Sequence, residues 1–142
     1  MFERYTENAR RVIFFARMEA GKSGSHEIDS EHLLLGLVHG AKGILSCAPQ
    51  LTADGVKARI DKQTVHLPPI ATSVDLPLAN SAKKSLNNAT QAADSLGHKS
   101  IDTEHMLLGI LQVEDCFASQ LLREGGADAT KMREKLAELK RE

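Results

Sequence analysis

The chain has 142 residues, 42% apolar and 26% charged, the balance of an ordinary folded domain and not of a disordered one. Lys and Arg total 18 against 19 Asp and Glu, for a net charge of -1, and there is no tryptophan, one tyrosine and four phenylalanines. A nucleic-acid binder needs a concentrated positive field or a row of stacking rings, and this composition supplies neither. No apolar run approaches the roughly 20 residues that span a bilayer, and the opening residues lack the basic-then-apolar pattern of a leader. A cytoplasmic protein is expected, with no membrane and no nucleic-acid partner. Cys47 and Cys116 lie far apart and in no CxxC pair, which suits two free thiols in a reducing compartment.

Taken in chain order, Thr6 reads as the N-cap of a first helix, with Glu7 in its first turn. Ala9, Val12, Ile13, Ala16 and Ala20 recur at helical spacing until Gly21 and Gly24. Ser30 reads as the cap of a second helix that turns Leu34, Leu35 and Val38 inward. A short third helix is expected over Ile44–Cys47, and a fourth from about Asp54. Residues 62–77 carry Pro68, Pro69 and Pro77, which cannot continue a helix, and read as a linker. Beyond it Asn80 or Ser81 caps a helix whose stripe is Ala82, Leu86, Ala89 and Ala93, closed by Gly97. Thr103 caps the next, with Leu107, Leu108 and Leu111 inward. Phe117–Leu122 and a last helix from about Asp128, with Met132, Leu136 and Leu139 on its buried stripe, complete the chain. No segment alternates as a strand does. The expected fold is all-α, with about eight helices.

The strongest signal is internal. Residues 24–38 read GSHEIDSEHLLLGLV and residues 97–111 read GHKSIDTEHMLLGIL, identical at eight of fifteen positions at an offset of 73. Upstream, Ala9, Ala16 and Ala20 fall on Ala82, Ala89 and Ala93. Downstream, Asp54 and Lys57 fall on Asp128 and Lys131 after a one-residue shift. Such self-similarity implies a duplicated unit whose copies bury each other's apolar faces about a pseudo-twofold axis. The boundaries expected within one domain, 1–142, are repeat one 1–61, linker 62–77 and repeat two 78–142. Gly36 and Gly109 sit at matched positions inside helices, where glycine costs about 1 kcal/mol relative to alanine. Accepting that twice suggests close helix crossings.

The chemistry-bearing residues are few. HEIDSEH is not HExxH, and the His and Cys spacings match no zinc site, so no metal is expected. No GxSxG elbow and no GxxxxGK[ST] loop is present, so neither an enzyme nor an ATP site is expected in this stretch, and no cofactor. Glu31 and Glu104 each follow the cap residue of a matched helix. One reading is that they only complement the helix dipole, worth about 0.3–1 kcal/mol. The other is that they receive a cation, because a carboxylate accepts a guanidinium in bidentate fashion, beside a helix start that attracts an anion. Together these suit a ligand with both charges, such as a phosphorylated arginine, and two copies give two linked sites. His32 and His105 are expected in the first helical turn, bonding locally or lining a surface. The pairs Arg10-Arg11 and Lys83-Lys84 read as solvated helix flanks, with help in binding acidic partners as the alternative.

With MFERYTENARRVI, IDSEHLLLGLV and IDTEHMLLGIL in hand, the whole chain resembles the N-terminal domain of the Clp family of AAA+ protein unfoldases, of the ClpC and ClpA type. The resemblance implies eight helices in two four-helix repeats. It implies a non-catalytic, monomeric domain, joined ahead of ATPase rings, that recruits substrate proteins or adaptor proteins for unfolding and, with a peptidase, degradation. ATP would then be bound only by modules outside this stretch. In ClpC-type members the glutamate of each [ST]EH motif is implicated in recognising phosphoarginine. Carried over, these are Glu31 and Glu104, with Ser30, His32, Thr103 and His105 beside them. Phe2 resembles a position near a binding groove and equally suits a core anchor. The sequence departs from the family at Leu76-Pro77-Leu78-Ala79-Asn80, at Pro49, and at Val113 and Cys116. The alternative is a free-standing protein of this type that regulates or competes with such a machine.

Overall fold

The computed structural model describes residues 2–139. It has seven α-helices: α1 Glu7–Lys22, α2 Ser30–Gly40, α3 Ala53–Gln63, α4 Asn80–Ser95, α5 Thr103–Leu111, α6 Phe117–Glu124 and α7 Ala129–Leu139, with a 3₁₀ turn at Ile44–Cys47 between α2 and α3. Among the described residues there is no strand, and the all-α expectation holds.

Each half is built on a helix pair, α1 with α2 and α4 with α5, and the contact faces are set by small residues. Ala9, Ala16 and Ala20 on α1, and Ala82, Ala89 and Ala93 on α4, are fully buried. A Cβ on Gly36 would lie 2.6 Å from the Val12 carbonyl oxygen, and one on Gly109 would lie 2.1 Å from that of Ser85. The matched glycines are therefore where backbone meets backbone, as their repetition implied. Leu33, Leu34, Leu37, Leu107, Leu108 and Leu111 fill the core between the pairs. Each contributes about 1.5–3 kcal/mol by burial.

The halves are interlocked by backbone as well as by packing. The Thr6 N–H donates to the Ile101 carbonyl (3.0 Å) and the Ile101 N–H to that of Arg4 (2.9 Å). At the related place the Ala79 N–H donates to Ile28 (2.8 Å) and the Ile28 N–H to Pro77 (2.8 Å). All three residues of each set differ from their counterparts by 73, so the pairing obeys the pseudo-twofold. Buried backbone groups just before each helix thus find partners in the other copy.

Several local readings are corrected. The caps of α2 and α5 are Asp29 and Asp102, not Ser30 and Thr103. Each aspartate accepts the N–H of the following residue, and each donates its own N–H to Nδ1 of the histidine three residues on, at 2.9 Å. This reciprocal box leaves Ser30 and Thr103 as first helical residues. Helix α4 is capped by Ala79 without a side-chain bond, because the interlock holds Ala79 extended. Thr6 does cap α1, accepting the Ala9 N–H at 3.1 Å. Leu35 and Val38 are half-buried, and Leu33 and Leu37 take the interior in their place. The third unit differs between copies. Phe117–Glu124 is a true helix, whereas in repeat one only a 3₁₀ turn forms, since Pro49 stands where the related position holds Leu122 and has no N–H to give. The linker begins after Gln63 and is tied back: the Leu67 and Ile70 N–H groups donate to Ser23 and Gly21, both at 2.9 Å, and the Arg17 guanidinium donates to the Ala71 and Val74 carbonyls. Met132 and Leu136 are buried on α7; the side chain of Leu139 lies outside the described residues.

Candidate binding grooves

The aspartate box aims the start of each second helix outward and fixes the next residue but one. Glu31 and Glu104 are both half-buried, on the rims of grooves that neither half forms alone. The Glu31 groove has a volume of about 330 Å³ and runs between Asp29, Ser30 and Glu31 of repeat one, Asn80, Ser81 and Lys84 of α4, and the α5–α6 connection of repeat two. The Ser81 hydroxyl donates to the Asp29 carboxylate and lies 3.2 Å from the Ser30 hydroxyl. On its other flank Glu31 borders a second cleft of about 410 Å³, closed by the linker. The Glu104 groove, about 350 Å³, runs between Thr103 and Glu104, the Ala41–Cys47 segment of repeat one, and α7. There Thr6, not a residue of α7, holds the cap: its hydroxyl donates to Asp102 at 2.9 Å. Each acidic helix start is therefore locked by a hydroxyl from the other copy.

Electrostatics distinguish the members of the motif. Burial, reinforced by the Asp29 charge, pushes the Glu31 carboxyl above its usual range, against a backbone hydrogen bond that lowers it. Burial depresses the His32 imidazole, against opposing pulls from Asp29 and Glu19. His32 accepts at Nδ1 from the Asp29 N–H, so its proton sits on Nε2. His105 does the same with Asp102, and its Nε2 lies 2.8 Å from His98 Nδ1 inside the core.

The expected site residues thus separate. Glu31 and Glu104 reach the grooves, and Ser30 and Thr103 contribute to their walls although both are buried. His32 is buried and His105 has no exposed surface. Both bond locally and position the helix start; His105 lines none of these grooves, whereas His32 borders the linker-closed cleft beside Glu31 and the cavity between α1, α2 and α3. Phe2 packs edge-on against Tyr5, ring centroids 4.9 Å apart, at the border of the core. Sequence reasoning missed Ser81, Lys42, Lys131 and Lys135, which line the grooves from elsewhere in the chain, while Lys84, weighed there as a helix flank or an aid to binding acidic partners, borders the Glu31 groove. Their signal was weak, because each sits outside the repeated motif. A larger cavity, about 660 Å³, opens between α1, α2 and α3 over Phe15, Met18, Leu35 and Ile60, and touches neither glutamate. Among the described residues no cluster of His, Cys, Asp or Glu is placed to hold a metal, and no helix is long and apolar enough to cross a membrane.

Comparison with known proteins places this geometry. The family model of the Clp repeat (R) N-terminal domain matches residues 4–125 and again 78–141. The chain is 35% identical over 137 residues to the chloroplastic chaperone protein ClpC of Pisum sativum, covering 94% of this chain and 15% of that protein. It is 34% identical over 143 residues to a ClpA homologue, an ATP-dependent Clp protease ATP-binding subunit, of Guillardia theta, covering 98% of this chain and 17% of that one. The solved N-terminal domain of the chaperone ClpD from Arabidopsis thaliana superposes with a TM-score of 0.76 at 28% identity, covering 99% of this chain and 100% of that one. The Hsp104 N-terminal domain from Candida albicans shares the fold, with a TM-score of 0.71 at 18% identity over 96% and 91% of the two chains. The chain spans about a sixth of the curated relatives it matches. A duplicated helical unit with interlocked copies, matched over most of its length, makes this chain a member of the Clp repeat N-terminal domain family.

Proposed function

We propose that this chain is a non-catalytic docking domain that recruits substrate or adaptor proteins to an ATP-dependent Clp unfoldase. In this reading the two acidic helix starts receive arginine side chains, including phosphorylated ones. The observation that carries it is the pair of grooves. A single helix-start carboxylate is accounted for by the dipole, but here two related glutamates stand on rims of clefts each completed by the other repeat. The Glu31 carboxylate is held there despite a burial that disfavours its charge, which a merely dipole-complementing residue would not require. A guanidinium would relieve that cost through a bidentate, charge-assisted pair. Unfolding and degradation belong, on this proposal, to ATPase and peptidase modules beyond this stretch. The proposal also takes the domain to act as a monomer in the cytoplasm.

The test is a calorimetric titration of the chain with free phosphoarginine, and with arginine as control, against the native sequence and Glu31→Ala/Glu104→Ala. Saturable binding lost in the double variant is expected. Binding that survives both substitutions unchanged removes the assignment to these grooves.

A further inference from the structure

Repeat two holds a buried histidine pair that repeat one lacks. His98 is 3% exposed and His105 has no exposed surface. Their rings meet edge-on at 68°, with His98 Nδ1 2.8 Å from His105 Nε2. The residue 73 positions before His98 is Ser25, which is half-buried and donates its hydroxyl to the Glu27 carbonyl at 2.6 Å. His32, the counterpart of His105, therefore has no histidine at the related place.

The proton count of the pair is fixed by its surroundings. His105 Nδ1 accepts the Asp102 N–H at 2.9 Å, so the one proton of that ring is on Nε2 and is donated to His98 Nδ1. His98 in turn carries its proton on Nε2, which is buried and has no hydrogen-bond partner among the described residues. The pair has two ring lone pairs, and both are in use. A further proton has to displace one of them. On His105 Nδ1 it opposes the Asp102 N–H and opens the cap box; on His98 Nδ1 it opposes the His105 N–H and splits the pair. An imidazolium in this interior also loses its hydration. The charged groups on the surrounding segments are committed elsewhere. Ahead of α1, the Arg4 guanidinium donates to the His98 and Lys99 carbonyls, both at 3.1 Å, and pairs with Asp94 of α4 at 2.8 Å. The side chain of Lys99 is exposed. At the start of α5 the Asp102 carboxylate accepts the Thr103 N–H and the Thr6 hydroxyl, and Glu104 lines its groove. On α7 the Arg133 guanidinium donates to the Ser95 hydroxyl at 2.6 Å.

The pair also stands beside one of the two clasps between the repeats. Ile101 lies between the two histidines in sequence and exchanges backbone hydrogen bonds with Arg4 and Thr6. We infer that the His98–His105 pair is a proton-sensitive latch on the start of α5. Neutral, it closes the Asp102 box and holds the Ile101 clasp. Taking up protons, it releases both, and the groove lined by Thr103 and Glu104 loses that wall. The inference rests on the geometry of the pair and not on what the grooves bind. Closed, neither ring has a place for a further proton; open, each takes one. Opening therefore takes up two protons and grows as pH falls through the ordinary imidazole value, about 6.5.

Hydrogen exchange of the Thr6, Ile101 and Asp102 amides, followed by NMR on the whole chain and corrected for the intrinsic pH dependence of exchange, reads the opening. With two protons taken up, the opening constant should rise about a hundredfold between pH 7.5 and 5.5. In His98→Asn, whose side-chain oxygen accepts the His105 N–H without titrating, the rise should shrink to about tenfold. The Ile28 and Ala79 amides, in the other clasp, should respond alike in both proteins. Equal pH responses of the Ile101 and Asp102 amides in the native chain and the variant would overturn the inference. The native chain gives a second reading that needs no variant. Imidazole nitrogen shifts at pH 7.5 should show a proton on Nε2 of both rings, and on acidification both rings should gain protons together with the loss of protection at Ile101 and Asp102. Rings that protonate while those amides stay protected would equally overturn it.

Discussion

Replacing Gly109 by alanine tests the helix crossing on which the grooves depend. The added Cβ would lie 2.1 Å from the Ser85 carbonyl oxygen and 3.0 Å from the Ala89 nitrogen. Ordinary contact begins near 3.4 Å, so α4 and α5 must part by about 1.3 Å along that line. The obstacle is backbone on a packed helix and cannot swing aside as a side-chain tip would. Over-packing of this kind costs about 1–3 kcal/mol, and a rigid neighbour favours the upper end. Parting the helices also weakens the bond from Asn88 Nδ2 to the Gly109 carbonyl, 3.2 Å, worth about 1 kcal/mol. The alanine returns about 1 kcal/mol of helix propensity. The net loss is about 3 kcal/mol, which for a chain of this length lowers Tm by about 10 °C. Gly36→Ala, with its nearest backbone atom at 2.6 Å, should lose about half as much. Thermal unfolding followed by circular dichroism measures both, with Asn87→Ala on the exposed flank of α4 as the neutral control. A Gly109→Ala variant as stable as the native chain would show that the two helices are not held in backbone contact.

Two further predictions concern the helix starts. Because burial raises the Glu31 carboxyl above its ordinary value, the folded chain holds that proton more tightly than the unfolded one. Stability is therefore lost as pH rises from about 4.5 through the raised value, and the loss persists at neutral pH. Glu31→Gln should gain on the order of 0.5 kcal/mol at pH 7 in urea unfolding, with the gain vanishing at pH 4; equal effects at both values would contradict the burial argument. His32 behaves oppositely in kind: its imidazole is depressed, so the unfolded chain protonates first and stability falls as pH drops below about 6.5. His32→Gln should cost about 1 kcal/mol at pH 7 through the lost cap, yet flatten the acid decline between pH 6.5 and 5. An undiminished decline would assign the acid sensitivity elsewhere.

The repeat, the helix stripes and the paired glycines were legible because each rests on a local period or on identity between copies. The caps were not. Asp29 and Ser30 are both good cap residues, and what decides between them is tertiary: Asp29 also receives the Ser81 hydroxyl from the other repeat. Ala79 caps α4 against its own propensity because its N–H is committed to Ile28. The IDxxH spacing shared by Asp29–His32 and Asp102–His105 was a usable sign, since an acceptor histidine three residues after the cap closes the box. The glutamates could be picked out as candidates, but the grooves could not. Their other walls come from Asn80–Lys84, Val113–Phe117, Ala41–Cys47 and α7. No periodicity within one repeat encodes what the second repeat places opposite it.

The account is tested most directly by mapping amide chemical shifts on the isotope-labelled chain as a short peptide carrying one phosphorylated arginine is added. Perturbations should gather at Thr103–Glu104 and Lys42–Ile44 and at Ser30–Glu31 and Ser81–Lys84, the linings of the two grooves. Shifts gathered instead over Phe15, Met18, Leu35 and Ile60, in the cavity that neither glutamate touches, would contradict the claim that the paired helix starts receive the ligand.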